Sequence, residues 1–252
     1  NNSLEHVEIK HAGSTAIYQE KTAIGVMKGG NFALKSSTIT MSGGNGLFVE
    51  QDPPTNARPS LTLSSNSYSD NELAALALPL ENASDVDGGS SFGDDSYVRI
   101  KSGPFPNSSN HTINALNGDT PYRFTTTTGI EGTATVTIEA GTEMEFASNA
   151  NVSVNSNDAA LIAAGENSEN QKIRMTSTPG NDQAGFWEGV GINSSNADNE
   201  LSNVIIQYAG GGSYNGSIRI SPDGILSLQN SEIRDSENHG VKCHYDPPTN
   251  SR

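Results

Sequence analysis

The chain contains a second copy of its own beginning near its end. Three pairs of segments correspond: 30–39 (GNFALKSSTI) with 224–233 (GILSLQNSEI), 52–58 (DPPTNAR) with 246–252 (DPPTNSR), and 4–13 (LEHVEIKHAG) with 201–210 (LSNVIIQYAG). The first two pairs are 246 − 52 = 194 residues apart, and the third is 197 apart. Tandem similarity of this kind is typical of proteins whose units stack along one axis. We therefore expect the chain to be a piece of a longer tandem-repeat protein, holding one repeat and the first part of the next.

Charge and composition exclude several partner classes. The 252 residues carry 14 Lys and Arg against 29 Asp and Glu, a net charge of −15. Binding to nucleic acid or to an anionic membrane surface needs clustered basic residues, and no apolar run is long enough to span a membrane, so we expect neither partner. Few Cys and Lys with abundant Asn, Ser, Thr and Gly are typical of bacterial secreted and surface proteins. The predicted location is extracellular or at the cell surface.

Pairs of apolar residues two positions apart recur along the chain, which is the period of a strand with one buried face. The pairs are residues 7 and 9, 61 and 63, 98 and 100, 136 and 138, 144 and 146, 152 and 154, 173 and 175, 190 and 192, 204 and 206, 218 and 220, 226 and 228, and 241 and 243. Clusters of Gly, Asn, Asp and Ser between them indicate turns. Only residues 71–80 hint at a helix, which Pro79 limits, and a short strand or a loop over the core is the alternative there. The chain is predicted to be all-β.

A parallel solenoid fits this pattern better than a sandwich does. A sandwich needs longer strands joined by tight hairpin turns, and paired hairpin signals are scarce here. In a solenoid each strand needs only a two-residue inward step and then a corner. At about 24 residues per turn and about 4.8 Å between turns, one repeat would form about eight turns.

From residue 134 onward the chain resembles a known family. The segments are 135–146, 159–165, 172–177, 185–192 and 201–212, and they are similar to right-handed parallel β-helix proteins of the pectin-lyase-like superfamily. The resemblance implies the fold and no particular reaction, since that superfamily includes lyases, hydrolases, tailspikes and adhesins. It predicts one continuous right-handed solenoid with a partial repeat at 1–58, a loop-rich part at 59–133, and turns at 134–252 that end in the second copy of the 1–58 unit.

Three fragments resemble pieces of the polygalacturonase pattern, in which paired carboxylates protonate the leaving group and activate water. They are residues 93–95, which include Asp94 and Asp95, the run Arg99 to Lys101, and the region of His239. Their order is wrong for that family, because the Arg-Ile-Lys element precedes the His by well over a hundred residues. The copy of His239 in the first unit is Asn45 (239 − 194 = 45). We expect no catalytic residues from this set.

A calcium site is the one metal site that the sequence suggests. Asp85, Asp87, Asp94 and Asp95 lie within eleven residues of a Gly-rich segment. Ca²⁺ takes several oxygen ligands, and flexible Gly allows backbone carbonyls to join them. The spacing matches neither an EF-hand nor a nonapeptide repeat, so a solvated acidic loop is the alternative.

Several other residues have competing structural interpretations. Cys243 corresponds to Val49, which predicts a small buried apolar residue. Trp187 is expected in the core, with stacking on a sugar as the alternative. The repeated Asp-Pro-Pro-Thr-Asn is predicted to be a rigid corner, with a recurring ligand loop as the alternative. Side-chain amide ladders between turns are expected from Asn149, Asn151, Asn155 and Asn157.

These observations predict a non-catalytic structural and adhesive segment of an extracellular protein. Its expected partners are neighbouring repeats of the same chain and, through weak multivalent binding, a polysaccharide or cell-surface glycan. The alternative is a polysaccharide lyase or glycoside hydrolase whose groove lies along the β-helix. An enzyme would need one clustered acid/base set within a single stack of turns.

Overall fold

The structure is a computed structural model that describes residues 2–13, 16–17, 20–50, 59–94, 96–101 and 109–244. Its strands are β1 (Asn2–Glu5), β2 (Glu8–Lys10), β3 (Ala16–Ile17), β4 (Glu20–Val26), β5 (Asn31–Lys35), β6 (Thr38–Thr40), β7 (Asn45–Val49), β8 (Ser60–Ser64), β9 (Ser67–Ser69), β10 (Leu76–Pro79), β11 (Ser91–Phe92), β12 (Val98–Lys101), β13 (His111–Ile113), β14 (Tyr122–Phe124), β15 (Thr128–Ile130), β16 (Thr135–Ile138), β17 (Glu143–Phe146), β18 (Asn151–Val154), β19 (Ala160–Ala164), β20 (Ile173–Ser177), β21 (Gly189–Ile192), β22 (Glu200–Ser202), β23 (Val204–Gln207), β24 (Gly216–Ile220), β25 (Ser227–Gln229), β26 (Glu232–Arg234) and β27 (His239–Cys243). Short 3₁₀ helices span Leu80–Asp85, Asn117–Asp119 and Glu169–Gln171.

The strands stack into a parallel β-solenoid of about eight turns, which confirms the predicted all-β fold class. One sheet, here called the long sheet, runs through the molecule in the order β26-β23-β20-β17-β14-β12-β10-β7-β4-β3. Four shorter sheets form the other faces: β1-β5-β8, β2-β6-β9-β11, β13-β16-β19-β22-β25 and β15-β18-β21-β24-β27. Among the described strands every pairing is parallel except the β3–β4 hairpin. Residues 59–133 contain β8 to β15, so the solenoid continues through that part of the chain.

The core is a column of apolar side chains that repeat once per turn. In the long sheet, nine residues lie directly above one another in register: Ile24, Leu47, Leu76, Val98, Tyr122, Met144, Met175, Ile206 and Ile233. The column covers 233 − 24 = 209 residues in eight steps, or about 26 residues per turn. Its middle members are fully buried. The turns differ in length because the corners take up the extra residues, while the inward positions stay in register.

The sequence hinted at a helix in residues 71–80, with a short strand or a loop as the alternative. The structure shows a strand there, paired on both sides. The segment ends in strand β10, whose Leu76 pairs with Leu47 on one side and Val98 on the other. A 3₁₀ helix follows directly after Pro79. The strand alternative is therefore correct.

An aromatic stack joins three turns of the core. The rings of Phe124 and Phe146 are 5.0 Å apart, and those of Phe146 and Trp187 are 4.1 Å apart and nearly parallel. Trp187 is fully buried, and its Nε1 donates a hydrogen bond of 2.7 Å to the carbonyl oxygen of Gln207. The core assignment of Trp187 is therefore confirmed, and this side chain does not face a sugar.

Successive corners share one backbone conformation, a single residue with positive φ. His6, Ser36 and Ser65 follow successive strands of the β1-β5-β8 sheet, and all three have positive φ. His11 and Met41 do the same after β2 and β6. This left-handed conformation bends the chain sharply from one face of the solenoid to the next, and polar side chains tolerate it better than most others.

A ladder of side-chain hydrogen bonds joins the corners from turn to turn. The Ser37 hydroxyl accepts a bond of 3.2 Å from the Val7 amide, and the Ser37 amide donates one of 3.1 Å to the Asn66 Oδ1. The Asn66 amide in turn donates one of 3.1 Å to the Ser90 hydroxyl. These bonds satisfy main-chain groups that the short strands leave unpaired.

Cys243 departs from its predicted burial. Its repeat equivalent Val49 is fully buried, but Cys243 is exposed at the last described turn. The reason is positional. Val49 lies beneath the turn that contains β10, whereas no described turn follows β27.

The aromatic stack should contribute strongly to stability. We expect Phe146→Ala to lower the free energy of unfolding by about 3–5 kcal/mol, because it removes a buried ring that contacts Phe124 and Trp187 and leaves a cavity. Urea unfolding followed by far-UV circular dichroism would measure this loss independently of Trp187 fluorescence. The matched control is Leu73→Ala at an exposed position, with an expected loss below about 1 kcal/mol. Equal losses for the two variants would contradict the stacking assignment.

Candidate functional site

The acidic segment is built into a turn of the solenoid. Asp87 accepts hydrogen bonds from the Ser65 amide, at 2.8 Å, and from the Ser90 hydroxyl. Asp85 accepts a bond of 2.7 Å from the Asn82 side chain. In the described structure both carboxylates therefore hold neighbouring segments in place.

The remaining two aspartates of the predicted calcium site do not complete a cluster. Asp94 is exposed, and Asp95 lies outside the described residues. Within the ranges that the structure describes, no group of three or more His, Cys, Asp or Glu is arranged to hold a metal ion. Calcium binding by Asp85, Asp87, Asp94 and Asp95 stays a prediction.

Of the three fragments that resemble the polygalacturonase pattern, the His239 region lies far from the run Arg99 to Lys101 in the fold. Arg99 and Lys101 lie on β12 of the long sheet. His239 is exposed on β27, in another sheet and after β26, which lies five long-sheet strands beyond β12. His239 therefore shares no site with Arg99 and Lys101.

The outer surface of the long sheet, together with the segment just before β20, carries a group of charged side chains. We call it the charged stripe: Glu20, Arg99, Lys101, Arg123, Glu143, Glu145, Glu169, Lys172 and Arg174. Along one outward column Arg99, Arg123 and Glu145 occupy successive rungs in register. Sequence reasoning singled out only Arg99 and Lys101 among these residues, because the register that joins them to the others is set by turns of unequal length.

At its first end the stripe holds an ion pair and a lysine that lies over an aromatic ring. Arg99 Nη2 lies 2.7 Å from Glu20 Oε2, with about a quarter or less of each side chain exposed. The Lys101 ammonium lies 4.0 Å from the ring centroid of Phe48. Burial lowers the pKa of Lys101, and the Glu20 carboxylate opposes that shift. Burial by itself would raise the pKa of Glu20, but the hydrogen bond and charge of Arg99 outweigh it and the pKa is lowered.

In the middle of the stripe Arg123 is held on both sides. Its Nε and Nη2 both lie 2.7 Å from Glu145 Oε2, and its guanidinium carbon is 3.8 Å from the ring centroid of Tyr97. The Glu145 side chain is only 8% exposed. A carboxylate in such a position needs its partner, because an unpaired buried charge is costly.

Farther along, Glu143 shares its surroundings with like and unlike charges. Burial is the main cause that raises the pKa of Glu143, the negative charge of Glu145 adds to it, and Arg174 opposes it. Arg174 and Lys172 both pair with Glu169, at 2.6 and 2.8 Å. The cations of this part of the stripe are therefore engaged within the chain.

Asparagine side chains bind adjacent turns, in part as predicted. Asn193 Nδ2 donates a bond of 3.1 Å to Asn155 Oδ1 across one turn. Asn151 Nδ2 donates to Glu188 Oε2 at 2.6 Å and to Thr127 Oγ1 at 3.2 Å. Among the side-chain bonds of the described residues, the Asn149 side chain donates only to the hydroxyl of its neighbour Ser148. The amide ladder is one step long, and the other contacts are mixed polar bridges.

The raised pKa of Glu143 predicts a pH-dependent effect of its removal. The ionised carboxylate is disfavoured in the folded state, so above its folded pKa the wild-type protein carries a penalty that Glu143→Gln removes. As the pH falls through the folded pKa to the ordinary range of a glutamate, Glu143 of the wild type becomes protonated. The difference in stability between wild type and Glu143→Gln then disappears. We expect Glu143→Gln to be more stable than wild type at pH 7 and equal to it near pH 4.

Urea unfolding at both pH values would measure this difference. Glu72→Gln, at an exposed carboxylate, controls for the change in net charge. A stability loss at pH 7 in Glu143→Gln would contradict the electrostatic description of the stripe.

No protein-family model, no curated protein and no solved structure matches this chain. Among the described residues no helix is long and apolar enough to cross a membrane. The geometry of the solenoid and its charged stripe is therefore what bears on the function of this chain.

Proposed function

We propose that this chain is a non-catalytic structural and adhesive segment of an extracellular or cell-surface tandem-repeat protein. In this proposal it belongs with the pectin-lyase-like β-helix proteins of bacterial surfaces, as the sequence resemblance implies. It forms a stiff rod that holds a surface away from the cell and contacts glycans weakly at many points.

One observation carries the non-catalytic part of the proposal. Arg99, Arg123, Lys172 and Arg174 on the charged stripe all pair with carboxylates of the same chain. A lyase or hydrolase that acts on a polyuronate needs cations that are available to the substrate carboxylates. Here those cations stabilise the outer face of the long sheet, and the chain as a whole repels a polyanion.

The geometry also supports a role as a rod. The inward column of the long sheet stays in register over eight steps, so each turn is held to the next by main-chain hydrogen bonds and apolar contacts. Contacts of this kind propagate along the axis without a limit on length, which suits a spacer built from repeats.

The alternative, a polysaccharide lyase or glycoside hydrolase, has one observation in its favour. Lys101 has a lowered pKa and lies on the outer face of the long sheet beside Arg99. A lysine of this kind suits proton abstraction beside a uronate carboxylate. In that case Lys101 would be the base, and Arg99 would leave Glu20 to bind the substrate.

A product-release assay separates the two proposals. Acidic and neutral polysaccharides would be incubated with the protein, with calcium and with chelator, and followed by unsaturated-uronate absorbance and new reducing ends. We expect no product above the buffer level.

Variants at matched lysines give the assay its control. Lys101→Met removes the candidate base, and Lys35→Met changes an exposed lysine on another face. Turnover that survives in Lys35→Met and disappears in Lys101→Met would overturn the structural proposal and establish the alternative.

The adhesive part needs its own measurement. Beads coated with the protein at low and high density would be tested for retention on immobilised neutral and acidic glycans. Because weak sites gain from multivalency, we expect retention that rises steeply with density on neutral glycans. No retention at any density would contradict the adhesive part of the proposal, and only the structural role as a rod would stand.

A further inference from the structure

The two copies of the sequence repeat have the same local structure. Ser36 and Asn230, which correspond at the offset of 194, have φ of 46° and 47°. Met41 and Asp235, the next equivalent corner, have φ of 56° and 53°. The turn β5–β6–β7 is therefore copied in the turn β25–β26–β27.

The corner hydrogen bonds are copied as well. The Val7 amide donates to the Ser37 hydroxyl at 3.2 Å, and the Val204 amide donates to the Ser231 hydroxyl at 3.1 Å. Each of these serines also donates to the carbonyl two residues earlier, at 2.7 Å for Ser37 and 2.9 Å for Ser231. The equivalence of the two turns thus extends to individual atoms.

The equivalent strands nevertheless lie in different sheets. Strand β6 belongs to the β2-β6-β9-β11 sheet, but its copy β26 belongs to the long sheet. Strand β7 belongs to the long sheet, but its copy β27 belongs to the β15-β18-β21-β24-β27 sheet. The cause is arithmetic: seven turns of the long-sheet column lead from Leu47 to Ile233, which is 233 − 47 = 186 residues, and the remaining 241 − 233 = 8 residues lead on to Val241 in the next strand, β27. One repeat therefore ends one face away from where it began.

The last described turn exposes residues whose copies are buried. Leu228 is 39% and Val241 is 41% exposed, while their equivalents Leu34 and Leu47 are fully buried. In the first copy the cover is the turn β8–β9–β10, which pairs with β5, β6 and β7.

A polar group takes part in that cover. Asn66, between β8 and β9, accepts from the Ser37 amide at 3.1 Å and donates to the Leu34 carbonyl at 2.8 Å. No described residue fills the equivalent place beside Ser231. The surface at β25–β27 thus matches the underside of a β8–β10 turn in its apolar residues and in its polar contact.

We propose that β25–β26–β27 is the docking surface for a second copy of the β8–β10 turn, and that successive repeats are rotated by one face of the solenoid. The second copy of β10 pairs with β27, so the shorter sheet that ends in β27 becomes the long sheet of the next repeat. This inference rests on the tandem-repeat part of the proposed function, but not on glycan binding.

The rotation gives the charged stripe a defined place in an array. Each repeat presents its stripe about a third of a turn around the axis from the one before. Stripes of successive repeats then point in three directions around the rod instead of forming one continuous groove. A groove for a single extended polysaccharide would end at each repeat boundary.

A fused chain tests the proposal. Residues 1–252 would be followed directly by a second copy of residues 59–252, which recreates the junction between Arg58 and Pro59 of the natural sequence. The second copy carries Cys243→Ser, so the first readout is the reactivity of the first Cys243, the only cysteine left, toward a thiol reagent. We expect at least tenfold slower labelling of the first Cys243 in the fused chain than in the unfused chain, where it is exposed.

A fusion whose second β8–β10 turn carries Leu63→Asp and Leu76→Asp is the matched control. Both leucines are buried against the preceding turn in the first copy, so these changes should restore rapid labelling. Equal labelling rates in the fused and unfused chains, whether or not the added turns fold, would overturn the proposal.

Disulfide formation then determines which sheet continues. In the first copy the register that pairs Leu47 with Leu76 places Val49 opposite Leu78. Adjacent turns are about 4.8 Å apart, within the Cα range of a disulfide. We therefore expect Leu78→Cys in the second copy to cross-link to the first Cys243.

The competing arrangement continues the long sheet itself. It would place Leu76 of the second copy opposite Ile233 of the first. A second variant therefore carries Ile233→Cys in the first copy and Leu76→Cys in the second, with Cys243 changed to serine in both copies. Cross-linking of this pair instead of the first would overturn the rotation.

Discussion

The in-register contact between equivalent inward side chains on successive turns is the interaction on which this structure depends. In the long sheet Leu47 contacts Leu76, which contacts Val98, and so on through eight steps. Each residue buries apolar surface against its equivalent about 4.8 Å away, while the main chains between them form parallel hydrogen bonds. Corners of different length are tolerated because they lie outside this column.

The outward positions lie outside that column, so they do not have to be apolar. On the long sheet, charged residues occupy many of them. The register places Arg123 directly beside Glu145 and near Tyr97, and it brings Arg99 to Glu20 from 79 positions away (99 − 20 = 79). Each of these cations therefore has a carboxylate partner from the same chain, which carries a net charge of −15. The same pairing favours a structural role for this face over a catalytic one.

The repeat in the sequence and the periodicity of the solenoid do not coincide. Local conformation is copied between the two units, down to the positive φ of Ser36 and Asn230, because the inward apolar residues and the corners recur at the same spacing. Sheet membership is not copied, because 194 residues are not a whole number of turns. A protein built in this way presents equivalent surfaces in a spiral around its axis.

The sequence by itself determined the strands and the fold class. Apolar residues two apart, such as Val98 and Ile100, specify a strand with one buried face, and Asn, Ser and Gly between them specify corners. Only the tertiary structure decided which strands meet, how the charged stripe is assembled, and that Cys243 is exposed while Val49 is buried. The physical reason is that the entropic cost of closing a turn changes little between 22 and 31 residues, so spacing along the chain does not encode register.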